Sequence, residues 1–131
     1  MMFTSKIDVG LARIWLEIGV PYVWGGQSPR KVWDCSGLVV EYLQTMGQMP
    51  AGSDATAQML HDSSYINDTI VPKRGDLVFL GASAKRIMHC GVYIHDGLYL
   101  NAHGKPDSVV QVRPIDKLAY LAYADPFSVD V

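Results

Sequence analysis

At 131 residues, 49% of them hydrophobic, the chain is long enough to bury a core as one domain spanning residues 1–131, without disulfides or a structural metal. A formal net charge of -2 with no basic run leaves no electrostatic footprint for nucleic acid. No apolar stretch approaches the roughly 20 residues of a membrane span, and Asp8, Arg13 and Glu17 interrupt the N-terminal apolar residues, so no signal peptide is expected.

In chain order, Ile7, Leu11, Ile14, Trp15 and Ile18 recur at helical spacing, which predicts an amphipathic helix ending near Gly19 and Pro21. The run from Pro21 to Gly26 reads as turn and loop. Leu38, Val39, Tyr42 and Leu43 then mark a second helix, with Cys35 in its first turn. A short helix opened by Ser53 or Asp54 follows, and His61 lies in a polar stretch that reads as its end. Strands are expected near Leu77, from Met88 to Ile94, from Leu98 to Ala102, from Val109 to Pro114 and near Tyr120 to Tyr123. Helices first and strands afterwards make an α+β fold, with the helices packed on an antiparallel sheet.

Cys35 stands where the chemistry of a nucleophile is available. At a helix start the unpaired backbone N–H groups and the positive end of the dipole stabilise an anion, which moves a thiol toward thiolate. Such a thiolate needs a base and a group to orient that base, normally from distant parts of the chain. Of the four histidines, His89 opens a run of β-formers, and a histidine on a strand is well held. Taken singly, Cys35 could equally be a small buried residue, His89 a hydrogen-bonded strand residue and Asn101 a strand-end cap.

The turn at His95, Asp96 and Gly97 decides which side chains can meet His89. A two-residue loop of Asp96 and Gly97 places Asn101 on the opposite face, whereas a three-residue loop with Gly97 in the left-handed region sets Asn101 against Gly91. In the second register Asn101 shares the face of His89, and His103 becomes the rival orienter. Alternation points Cys90 to the face opposite His89, which argues for a core thiol and against a disulfide with Cys35. The group His89, Cys90, His95 and His103 does not match paired zinc-ligand spacing.

Five blocks in order, Pro21–Gly26 (PYVWGG), Asp34–Val39 (DCSGLV), Arg74–Leu80 (RGDLVFL), His89–Gly97 (HCGVYIHDG) and Tyr99–Ala102 (YLNA), resemble the NlpC-type (p-sixty) family of papain-like cysteine peptidases. The likeness runs from about Gly19 to the last strand. It implies a papain-like fold, Cys35 as nucleophile, His89 as base, and Asn101 as the third polar residue, where many members carry histidine. It also implies a role for Tyr22 in holding the oxyanion, and places Asp34 and Ser36 at the substrate-facing edge.

By the same resemblance the substrate is a stem peptide of peptidoglycan or a muropeptide, cut most often between D-glutamate and a diamino acid, with no cofactor and no metal. The segment from Gln27 to Trp33 is bulkier and more basic than the usual glycine-rich link, and Pro50–Asp54 lacks an arginine common before the second family helix. A wall enzyme with no leader needs another route outward. The expected settings are a phage protein, released at lysis or part of a tail assembly, and a cytoplasmic enzyme recycling muropeptides. The alternatives in function are an amidase or acyl-transfer enzyme on the same scaffold and a non-catalytic tail module.

Overall fold

The computed structural model of the protein describes residues 5–21, 27–28, 32–67, 71–103, 109–116 and 118–131, with the backbone alone at 27–28, 32–33 and 103. Helix α1 (Lys6–Trp15) begins in a capping box. The Ser5 hydroxyl accepts from the Asp8 N–H at 3.1 Å, and the Asp8 carboxylate accepts from the Ser5 N–H at 3.4 Å. Gly10, Leu11 and Ile14 form its buried side. Gly10 sets the approach to the next helix, because a Cβ there would lie 2.7 Å from the Tyr42 ring. This shifts the buried stripe from the expected one: Trp15 is 50% exposed, and Ile18, beyond the helix end, is 40% exposed. Arg13 ties the two helices by meeting Glu17 at 3.2 Å and Glu41 at 3.0 Å.

Helix α2 (Cys35–Thr45) is buried on almost every side, through Cys35, Gly37, Leu38, Val39, Val40, Tyr42 and Leu43. Asp34 caps it by accepting from the Gly37 N–H. Helix α3 (Ala57–Asp62) is capped by Thr56 rather than by Ser53 or Asp54. The two expected caps are committed elsewhere: the Ser53 hydroxyl donates to the Pro50 carbonyl, and the Asp54 carboxylate accepts from the Ala55 N–H.

Strands β1 (Gln27–Ser28) and β2 (Val32–Trp33) pair with each other. The main sheet contains β3 (Ile66–Asn67), β4 (Leu77–Ser83), β5 (Arg86–His95), β6 (Leu98–His103), β7 (Val109–Pro114) and β8 (Tyr120–Ala124). It is antiparallel throughout, in the order β3-β8-β4-β5-β6-β7. Alternation gives it two apolar faces. Phe79, Cys90, Val92, Leu100, Ala102 and Val110 share the main core with α2, while Val78, Leu80 and Tyr99 form a second cluster behind them. The α+β, papain-like arrangement of helices on an antiparallel sheet is thus present, with α2 laid across β5 and β6.

Two irregularities in β5 position the site. Leu80 pairs with His89 but Gly81 pairs with Ile87, so Met88 is an extra residue immediately before His89. At the other end, Asp96 (φ 50°) and Gly97 (φ 76°) form a two-residue loop that sets His95 against Leu98. The loop is thus the shorter of the two that the sequence allows, which by itself would put Asn101 on the face opposite His89. A bulge between Tyr93 and His95 restores the shifted register, with Tyr93 against Tyr99 and Val92 against Leu100, so that Asn101 arrives beside Gly91.

Candidate active site

Cys35 occupies the first position of α2, is 8% exposed and lines a cleft of about 230 Å³. Its lining includes Asp34 and Ser36, Thr56 and Gln58 at the start of α3, and Ile87 and Met88 of β5. The Ser36 hydroxyl donates to the Asp34 carboxylate at 3.4 Å. Met88, the extra residue of the bulge, is 63% exposed at this rim.

His89 and Asn101 meet beside the thiol. His89 Nε2 lies 3.0 Å from Asn101 Oδ1, and both residues are buried. The amide orientation follows from its other end, where Asn101 Nδ2 donates to the Tyr99 carbonyl at 3.4 Å and the Gln111 carbonyl at 3.3 Å. With Oδ1 facing the ring, Nε2 must carry the hydrogen, so the neutral imidazole keeps its lone pair on Nδ1. His89 also hydrogen-bonds Cys35. The Tyr99 ring packs edge-on against the imidazole with centroids 5.8 Å apart, so the base is held by packing as well as by the amide.

The surroundings bring the Cys35 thiol down to about 4 from its ordinary 9.0. The Cys90 thiol, as a hydrogen-bond donor, is the largest cause; burial opposes it, and the hydrogen bond and charge of His89 and the Cys90 N–H add to it. Cys90 is pushed the other way by Cys35 and by burial, and so remains a thiol. Cys90 is thus the free core thiol that alternation implies, but it is a neighbour of Cys35. Alternation does turn Cys90 away from His89, but α2 packs on the Cys90 face and carries Cys35 onto it. The bulge at Met88 adds local twist, which lets His89 reach the same sulfur from the neighbouring position. Both cysteines are free.

Tyr22 lies outside the described residues, and so does the side chain of His103. His95 is at the turn, its Nδ1 3.0 Å from the Asp96 carboxylate. Sequence reasoning missed Cys90 as a neighbour of Cys35, and it missed Gln58, which no periodicity or motif singles out. Gly91 was legible as the gap that admits Asn101. A Cβ there would meet the Leu100 carbonyl at 2.7 Å, the Tyr99 ring at 2.6 Å and the Asn101 Cβ at 3.0 Å. Gly91→Ala is therefore expected to cost about 1–3 kcal/mol of stability by overpacking and to push Asn101 off the ring. Thermal unfolding and the His89 imidazole NMR signals check this; an unmoved imidazole would contradict it.

A model of the NlpC/P60 family matches residues 19–124. The chain is 36% identical over 125 residues to the probable endopeptidase YafL of Escherichia coli K12, covering 92% of this chain and 47% of that protein. It spans about half, or less, of the length of the curated relatives it matches. Among solved structures it resembles the peptidoglycan hydrolase RipB of Mycobacterium tuberculosis, with a TM-score of 0.78 and 24% identity over 96% of this chain and 66% of that one. RipD of the same organism, described as a non-catalytic NlpC/p60 domain protein adapted to peptidoglycan binding, gives a TM-score of 0.72 and 21% identity over 94% and 98%. Likeness at these identities speaks for the fold alone.

Proposed function

The chain belongs to the NlpC/P60 family, and from that premise we propose that it is a cysteine peptidase hydrolysing peptide bonds in peptidoglycan stem peptides. The observation that carries the reading is the His89 ring, fixed through Nε2 by Asn101 and hydrogen-bonded to a thiol at a helix start.

In this reading Cys35 is the nucleophile, His89 the base and Asn101 the orienter. His89 Nδ1 holds the thiol proton while the Cys35 sulfur attacks the scissile carbonyl carbon. The resulting oxyanion is taken up by the Cys35 backbone N–H, one of the first-turn amides that no carbonyl of the helix itself can reach, with help from Tyr22. The carbon–nitrogen bond then breaks, and His89 returns its proton to the leaving amine. Water, deprotonated by His89, attacks the thioester carbon, releasing the carboxyl product and regenerating the thiol. Asp34, at the rim, is assigned to a substrate ammonium group, with Ser36 beside it. The bond we assign joins the side-chain carboxyl of D-glutamate to a diamino acid.

The test is mass spectrometry of peptidoglycan fragments after incubation with the protein and with a Cys35→Ala control. The expected result is a new pair of fragments, ending in D-glutamate and beginning with the diamino acid, formed by the wild type alone. Cleavage at another amide supports an amidase on the same scaffold. The fold also carries a protein described as non-catalytic, and binding to peptidoglycan without fragments from either sample would favour that second reading.

A further inference from the structure

Gln58, the second residue of α3, saturates most of its amide with protein partners. Its Oε1 accepts from the Ile87 N–H at 2.8 Å, and its Nε2 donates to the Ala84 carbonyl at 2.8 Å and the Asp62 carboxylate at 3.0 Å. Ile87 lies at the bulge that precedes His89, where the ladder to β4 shifts register. A bulge interrupts regular ladder pairing, so a side-chain acceptor there substitutes for a strand partner. On the other side of β5 the strands already touch. A Cβ at Gly81 would stand 2.1 Å from the Arg86 carbonyl oxygen, so β5 cannot relax toward β4.

The bracket is itself anchored. The Asp62 carboxylate that receives Gln58 is 2.9 Å from His61 Nδ1, and His61 Nε2 is 2.9 Å from the Tyr120 hydroxyl at the start of β8. His61 is buried with its ring edge-on to Phe79. One chain of hydrogen bonds therefore runs from β8 through α3 to the backbone two residues before His89.

We propose that Gln58 is a positioning residue, which holds the β5 bulge and through it aims the His89 ring at Cys35. The role rests on the cysteine-peptidase reading, because it acts on that proposed base. Gln58 lines the cleft, yet the committed partners of its amide make it a bracket between the cleft wall and the base rather than a group reserved for substrate.

Gln58→Met keeps the length of the side chain and loses all three hydrogen bonds, whereas Gln58→Glu keeps an acceptor for the Ile87 N–H and loses the amide donor. Two readouts need no substrate: the imidazole NMR signals of His89 and the pH profile of Cys35 alkylation. In Gln58→Met the profile is expected to move up in pH, so that the rate at pH 5 falls about tenfold or more. Turnover of a peptidoglycan fragment should fall on the order of a hundredfold through kcat, with KM within about twofold. Gln58→Glu should be intermediate in each. An unchanged alkylation profile and imidazole in Gln58→Met, with the loss confined to KM, would make Gln58 a substrate contact and overturn the proposal. So would a Gln58→Met protein that fails to fold beside a folded Gln58→Glu with the wild-type profile, since Gln58 would then serve stability alone. Absence of cleavage by the wild type would defeat the peptidase reading separately, while both substrate-free readouts still report on Gln58.

Discussion

Cys35→Ala is expected to abolish turnover, by at least on the order of 10⁴-fold, and to leave the fold nearly intact. The loss follows from the chemistry: Cys90, the other thiol, is fully buried, which keeps substrate from it and, with Cys35 gone, still opposes its ionisation, so it cannot replace the nucleophile. Cys35→Ser should fail similarly, because a hydroxyl beside the same imidazole does not ionise as the thiol does. Reactivity supplies a second measurement. The thiolate is the reacting form, and Cys35 is ionised above about 4. Its alkylation should therefore stay nearly level from about pH 8 down to about pH 5 and fall only as pH approaches that value. An ordinary thiol loses about tenfold in rate for each pH unit over the same range. Peptide mapping after brief alkylation should find the label on Cys35 and not on Cys90. Equal cleavage by Cys35→Ala, or alkylation that declines steadily below pH 8, would sink the mechanism.

Asn101→Ala should lower turnover on the order of a hundredfold, and more than His103→Ala does. Without Oδ1, the ring loses the partner that keeps hydrogen on Nε2, and neither its tautomer nor its plane is set by the amide. The effect should fall on kcat, since the amide touches the base rather than the cleft. Its cost in stability differs from a surface-residue expectation of less than about half a kcal/mol. Asn101 is completely buried and also donates to the Tyr99 and Gln111 carbonyls, so truncation should cost about 1–3 kcal/mol. Steady-state kinetics with chemical denaturation separates the two losses. A reversed ranking, with His103→Ala the more damaging, would transfer the orienting role to His103.

The local patterns were legible because each element reports its own period. The apolar spacing after Cys35 announced α2, and the β-branched and aromatic runs announced β4 to β8, so the order of helices before strands followed. Positions that depend on competition between nearby candidates were less legible. Ser53, Asp54 and Thr56 all have side chains suited to a helix cap, and Thr56 starts α3 because the turn after it buries Ala57 and Leu60. In α1 the stripe moved toward Gly10 because the Tyr42 ring fills the space that a side chain would take.

By sequence alone, the meeting of His89 and Asn101 goes with a three-residue turn. The loop is two residues long, and a second irregularity near Ile94 restores the register that brings them together. The nearness of Cys90 to Cys35 and the grip of Gln58 on the Met88 bulge had no local signature at all. Short-range periodicity alone puts a thiol at a helix start and an imidazole and an amide on adjacent strands. How the three converge depends on the folded packing, because strand bulges are set by contacts and hydrogen bonds across neighbouring elements, and one displaced residue changes which side chains share a face.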